Sequence, residues 1–390
     1  MRKLMIVCMA LALFGCSRSR PDANEEKDFR AIGEPCNGIP RLIHSYGTSG
    51  NGNLQFATPH GVAPLGTDQL VVADTNNQRV QVLTKAGAYS SQWATGAGTG
   101  PRGITSDSDG KVFVSLSTAN VVKKYNPANG NELASWGSAG AGATQLQSPY
   151  AVALFNNILY VADVQNDRVQ KYDATQSGQH IGTLGPTFMR GDTPDQFVHP
   201  HGLGIFNSEL YVVDTFGAGG GLNQGGRVVV FNLDGTYQRM WSDNGEGAFL
   251  AEPYGIAFDA GSNVYVGEHG GSRVRKFTTT GLYLGKFGRN ELGQMQMLAP
   301  RFMFAEGCTV TLVDGFDRVA IWHPCAFYPT VMACVDVDGG MQGRTDQQIT
   351  DDCAAVVNGY GYAAASNDSL ACNDFCVVNT KVSRNANCPL

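Results

Sequence analysis

A three-residue step opening with proline returns six times along this chain, and that repetition constrains the fold more than any other feature. The steps are Pro59-His60-Gly61, Pro101-Arg102-Gly103, Pro149-Tyr150-Ala151, Pro200-His201-Gly202, Pro253-Tyr254-Gly255 and Pro300-Arg301-Phe302, spaced by 42, 48, 51, 53 and 47 residues. A period of that length calls for one supersecondary unit used repeatedly, not a core assembled from dissimilar elements. Each step opens a short apolar segment, such as Gly202 to Ile205. A second run follows, as in Leu70-Val71-Val72-Ala73-Asp74 and Leu210-Tyr211-Val212-Val213-Asp214. After a turn comes a third, as in Arg79-Val80-Gln81-Val82-Leu83, and a fourth ends in an aromatic residue and glycine, as in Trp136-Gly137. β-Branched and aromatic residues between turn punctuation read as strands. The 49 glycines, spread without a three-residue period, fit a chain with many turns and exclude collagen.

Four strands per unit predict an all-β, six-bladed β-propeller. The sixth unit has strands near Phe302 to Phe304, Thr309 to Val313 and Arg318 to Trp322, but no fourth. Upstream of the first unit lies an orphan, Leu42-Ile43-His44-Ser45-Tyr46-Gly47, with the aromatic-glycine ending of a fourth strand. Pairing the two closes the ring and removes exposed sheet edges. The units resemble NHL repeats over residues 41 to about 325, and Val72-Ala73-Asp74-Thr75-Asn76-Asn77-Gln78-Arg79-Val80 carries the core of that motif. The resemblance implies the six-bladed NHL-type ring.

The N-terminus reads as an address. Arg2 and Lys3 precede an apolar stretch from Leu4 to Phe14, too short to span a bilayer comfortably and suited to a secretory signal. It ends in Leu13-Phe14-Gly15-Cys16, which resembles the lipobox of bacterial lipoproteins. That resemblance implies cleavage before Cys16, a lipid on Cys16, and a place in the bacterial cell envelope. Ser17 instead of Asp after the cysteine favours the outer membrane, facing the periplasm or the exterior. The expected organisation is a signal peptide over 1–15, a polar tether over 16–40, the propeller over 41–329 and a small Cys-rich region over 330–390. Cys36, Cys308, Cys325, Cys334, Cys353, Cys372, Cys376 and Cys388 are an even set in an exported chain and suggest disulfides. A hairpin across Asp314 to Asp317 favours Cys308–Cys325, with Cys36 competing for Cys325. Asp336-Val337-Asp338-Gly339 lacks the rest of a calcium loop's spacing and reads as a solvated turn.

Function is sought at one face of the ring. The loop entering a blade and the loop between its second and third strands open on the same face, and blade 4 carries long versions of both, through Met189 to His199 and Phe216 to Gly226. The middle residue of each step should stand at that face beside the central channel: His60, Arg102, Tyr150, His201, Tyr254 and Arg301. With blades 1 and 4 opposed, His faces His and each Arg faces a Tyr. Guanidinium forks, phenols and imidazoles around a concave mouth suit a small polar or anionic ligand, such as a carboxylate or phosphate, or a protein carrying one. The bland alternative is a set of polar residues wetting a water-filled channel. The Asp-x-x-Asn-x-Arg groups, including Asp74, Asn76, Arg79, Asp163, Asn166 and Arg168, recur from blade to blade and so read as turn caps and staples. His199 and His269 read as exposed loop histidines.

Pro59-His60-Gly61-Val62 and Pro200-His201-Gly202-Leu203 also resemble, more weakly, the Pro-His segments of peptidyl-hydroxyglycine amidating lyases. That resemblance implies a zinc ion held by three histidines, with His60 and His201 as two of them and no third Pro-His step to complete the set. Phe316 stands where the lyase pattern has a tyrosine. No Gly-x-Ser-x-Gly elbow or P-loop occurs. A net charge of −6 opposes a nucleic-acid partner. The favoured expectation is a lipid-anchored recognition module without a cofactor, with a zinc lyase as runner-up.

Overall fold

The computed structural model describes residues 41–323, apart from 186–190, 192, 217–224, 243–248, 289–294 and 308, together with 376–378 and 381–383. Residues Arg41–Trp322 form one compact unit. It consists of six four-stranded antiparallel sheets. Blade 1 runs Pro59–Leu65, Gln69–Asp74, Arg79–Thr84 and Tyr89–Ala94, and each strand pairs with the next. Blades 2 to 5 repeat that order from inner strands Pro101–Ser106, Pro149–Phe155, Pro200–Phe206 and Pro253–Phe258. Blade 6 contributes Met303–Glu306, Thr309–Asp314 and Arg318–His323, and its fourth strand is Arg41–Tyr46 from the start of the propeller. The orphan segment therefore closes the ring, as its aromatic-glycine ending suggested. A 3-10 turn at Val164–Asn166 is the one helical element among the described residues.

The apolar pattern follows from what each strand faces. Second strands are covered on both sides by neighbouring blades, so Leu70, Val71, Val72 and Ala73 are all buried and the run is continuous. Outer strands have one covered face. Tyr89–Ala94 accordingly alternates until Trp93 packs with Tyr125 of blade 2 at 5.8 Å. Cores lie between blades: Val71, Ala73 and Val82 of blade 1 pack with Val112, Val114 and Leu116 of blade 2. The same logic joins Val313 and Val319 of blade 6 to Val62, Val72 and Tyr46, and Tyr46 is the residue by which the closing strand enters that core.

The recurring Asp–Arg pairs are staples. Asp74 accepts from Arg79 at 2.7 Å, Asp163 from Arg168 at 2.8 Å, Asp214 from Arg227 at 2.9 Å and Asp314 from Arg318 at 3.1 Å. In blade 5 Glu268 takes this role and receives both Arg273 and Arg275. In blades 1, 3, 4 and 6 the arginine also donates to carbonyls of the loop entering its own blade, as Arg79 does to those of Asn51, Gly52 and Gln55, and Arg168 to those of Ala141, Gly142 and Gln145. The asparagine that joins the acid in blade 1 is Asn77, at 2.9 Å from Asp74, matching Asn166 and Asp163 in blade 3. Asn76, which the motif reading had favoured, donates to Thr58 instead, because it sits two residues after the acid and faces the entering loop.

Cys16, Cys36, Cys308, Cys325, Cys334, Cys353, Cys372 and Cys388 lie outside the described residues, as do residues 336–339 and the central part of each long blade 4 loop. Of the second compact unit, the described strands are Cys376–Val378 and Lys381–Ser383, paired antiparallel.

Candidate functional site at the channel mouth

The proline steps of blades 1 to 5 are β-bulges. Pro59 pairs with Asp74 and Gly61 with Ala73, so His60 is an extra residue with no partner opposite. The same two-against-one count isolates His201 between Pro200 and Gly202, and Tyr254 between Pro253 and Gly255. A bulge turns its extra side chain out of the ladder, here towards the central channel. The glycine that follows has a steric cause. A Cβ at Gly61 would lie 2.2 Å from the Arg102 carbonyl oxygen, and one at Gly202 would lie 2.2 Å from that of Tyr254. Each inner strand therefore presses its backbone against the next.

The residue before each proline completes the device. Thr58, Gly100, Ser148, His199, Glu252 and Ala299 all have positive φ, between 43° and 57°. In blades 1 and 4 this left-handed residue turns its carbonyl onto an imidazole. Nδ1 of His60 lies 3.0 Å from the Thr58 carbonyl and 2.9 Å from Thr75 Oγ1, while the Thr75 hydroxyl donates to the Pro101 carbonyl at 2.5 Å. Nδ1 of His201 lies 2.9 Å from the His199 carbonyl and 2.6 Å from Thr215 Oγ1, and Thr215 donates to the Pro253 carbonyl at 2.9 Å. A carbonyl only accepts, so Nδ1 carries the proton in both rings and Nε2 is a bare acceptor. Burial, and then the charges of Arg102 and Arg301, hold the His60 pKa well below its ordinary value. Burial and the neighbouring His199 lower that of His201 to about 3. Both imidazoles are neutral at physiological pH.

The six step residues meet at one end of the channel. Arg102 donates to Nε2 of His60 and to Ser117 Oγ, and its guanidinium lies 4.3 Å from the Tyr150 ring centre. Tyr150 stands edge-on to His60 at 6.3 Å, to His201 at 4.5 Å and to Tyr254 at 6.4 Å. Tyr254 is sandwiched between His201 at 4.3 Å and His269 at 4.4 Å, and burial pushes its phenol up to about 12. Arg301 donates to the carbonyls of Pro59 and Asp314. His60, His201 and Arg301 are buried, so this is a packed polar lining, not a set of side chains extended into open water. The expected His-to-His opposition takes a different form: Tyr150 reaches between the two imidazoles.

Several partners escaped the sequence reading. Thr75, Ser117, Thr215 and His269 each directly follow the last residue of a second strand and touch the step residue of their blade. A signal was available, because Asp-Thr occurs at that position only in the two blades that carry Pro-His. His269, read as an exposed loop residue, is half-buried in the ring stack beside Glu252. His199 packs 6.3 Å from His201 and 5.8 Å from Phe216. Phe316 is exposed under the Arg318 guanidinium.

Fold and mouth together define a closed six-bladed propeller with a polar end to its channel. Residues 56–83 match the NHL repeat model, and the other blades repeat the four-stranded order of the blade that carries the match, which supports an NHL-type β-propeller. Two uncharacterized proteins of Acanthamoeba polyphaga mimivirus are similar in sequence. One is 24% identical over 270 residues, covering 63% of this chain and 64% of the relative; the other is 30% identical over 158 residues, covering 34% and 38%. The chain thus spans less than two thirds of either relative. Among solved structures, virginiamycin B lyase from Staphylococcus aureus superimposes with a TM-score of 0.52 at 13% identity, covering 73% of this chain and 99% of that one. A protein of unknown function from Bacteroides thetaiotaomicron gives 0.53 at 16% identity, covering 73% and 76%. At such identities the likeness is one of fold.

Proposed function

We propose that this chain is a lipid-anchored, extracytoplasmic recognition module whose channel mouth takes an anionic group, from a small ligand or from a partner protein. One observation carries the reading. Every other arginine with a described side chain makes a close ion pair with a carboxylate, whereas Arg102 and Arg301 converge on the mouth with no such pair among the described residues, the Asp317 and Asp314 carboxylates reaching Arg301 only through longer-range charge. Arg301 keeps a buried Nε without an acceptor. A buried guanidinium held by neutral acceptors alone has desolvation left to recover, and a carboxylate or phosphate recovers it through charge-assisted hydrogen bonds. Bare Nε2 of His201 adds an acceptor for a donor on the same ligand. The test uses succinate and inorganic phosphate at constant ionic strength. Either should raise the melting temperature of the native chain and not of Arg102→Gln/Arg301→Gln, since a ligand of the folded state stabilises by mass action. Equal shifts in both proteins would refute the site.

The anchor and location belong to the same proposal and rest on the signal-like N-terminus ending at Cys16. Cys16→Ser should move the protein from membrane to soluble fractions. Disulfides among Cys36, Cys308, Cys325, Cys334, Cys353, Cys372, Cys376 and Cys388 are proposed on the same exported context and should leave few thiols to alkylate without reductant.

The runner-up, a zinc lyase, draws on the two bare Nε2 atoms. The donor set does not fit it: His60 Nε2 is already taken by Arg102, and the described residues include no group of three His, Cys, Asp or Glu side chains placed to hold a metal ion. Stoichiometric zinc in chelator-free protein, lost with His60→Ala/His201→Ala, would revive that reading.

A further inference from the structure

The channel changes character below the mouth. Past the step residues it widens into a cavity of about 340 Å³ lined by the remaining length of all six inner strands. Its wall includes Ile104, Leu154, Phe206, Phe258 and Phe304, carries no charged side chain, and has Thr105 as its sole polar one. None of the six mouth residues lines it. Tyr150, edge-on to three rings and under the Arg102 guanidinium, belongs to the mouth and not to the cavity wall. The lining residues furthest from the mouth, Pro64, Leu154, Phe206, Phe258 and Ala305, are part-exposed at the ends of inner strands, so the cavity opens on the opposite face. Phe206 and Phe258 stack there at 5.1 Å and form part of an aromatic rim.

We propose that this chamber is a second binding site, for an uncharged small molecule that combines apolar surface with hydrogen-bonding groups and enters from the face opposite the polar mouth. The volume falls within the range of small-ligand pockets, about 300–1,000 Å³. The lining sets the chemistry. A charged group would lose its hydration and find no counter-charge among the lining residues, a cost that apolar burial does not recover. A wholly apolar hydrocarbon is not the best occupant either. Each inner strand pairs on one side only, so its second edge turns backbone N–H and C=O groups towards the channel. A neutral body bearing one or two hydrogen-bonding groups satisfies both kinds of wall.

The experiment compares two dyes on the full-length chain in detergent-free buffer. N-phenyl-1-naphthylamine is neutral and carries one N–H; 1-anilinonaphthalene-8-sulfonate has the same rings plus a sulfonate. The neutral dye should bind saturably, one per chain, and at least about tenfold more tightly than the sulfonate, a difference near 1.4 kcal/mol. Ala257→Trp fills the chamber and should reduce neutral-dye affinity by at least the same factor. Thr105→Lys places a charge at a part-exposed lining position and should do likewise, so the test survives if the tryptophan disrupts folding. Succinate, the mouth probe, should not displace the dye, which keeps failure here distinct from failure of the anion site. Equal affinity for both dyes, no saturable binding, indifference to Thr105→Lys, or displacement by succinate would each overturn the proposal.

Discussion

Blades 1 and 4 are built alike and end differently. Both have a left-handed residue before proline, a bulged histidine, an Asp-Thr pair, and an Asp–Arg staple on the entering loop. In both, the threonine bridges its histidine to a proline carbonyl of the next blade. The difference lies beyond Nε2. His60 receives Arg102, whereas no donor among the described residues reaches that atom of His201, whose faces are instead covered by Tyr150 and Tyr254. One device thus supplies a fixed acceptor twice. In blade 1 it positions a guanidinium, and in blade 4 the same acceptor has no donor among the described residues.

Breaking the shared staples should have the largest effect and show the blades to be equivalent. Arg79→Ala and Arg227→Ala each leave a fully buried carboxylate without its cation, and each should cost about 3–5 kcal/mol in chemical denaturation. A cost below 1 kcal/mol in one blade alone would break the equivalence. Next come the threonines. Thr75→Val and Thr215→Val each remove a hydrogen bond to the following blade and an acceptor for Nδ1–H, for about 1–3 kcal/mol. Imidazole 15N shifts should still report the Nδ1–H tautomer, which the Thr58 and His199 carbonyls hold, and the Ser variants should restore the lost stability.

The pH response is smaller and follows from the two imidazoles. Their folded pKa values lie below the unfolded value of 6.5, so between about pH 6.5 and 3 the unfolded chain binds protons that the folded chain excludes. Stability contributed by each neutral histidine is present above pH 6.5 and is lost as pH falls, by up to about 1.4 kcal/mol per pH unit per residue. His201→Gln should flatten the slope between pH 6 and 4.5; an unchanged slope would contradict burial in the neutral form. Smallest of all, Ala299→Gly should stabilise by up to about 1 kcal/mol, because alanine holds a positive φ there.

Much of this was legible in the residues, and the division has a physical cause. Repetition exposes whatever each blade needs locally: the strand runs, the closing strand from Leu42 to Tyr46, the acid–arginine staples, and the register that placed His60 and Arg301 at one end of the channel. Contacts between blades leave no periodic trace. Thr75 joins His60 to Pro101 across a blade boundary, and nothing in the spacing of those residues announces it. Tyr150 closes the mouth because of where its ring points, a matter of packing and not of position in the repeat. The chamber escapes notice for a similar reason: its wall is made of short runs from six inner strands, each indistinguishable from ordinary core.

The central claim is that Arg102 and Arg301 hold an anion at the mouth. Calorimetric titration of succinate into the native chain, Arg102→Gln and Arg301→Gln, at two salt concentrations, tests it most directly. The account predicts saturable binding that weakens with salt and at least about tenfold with either substitution. Binding that is indifferent to both arginines would contradict it.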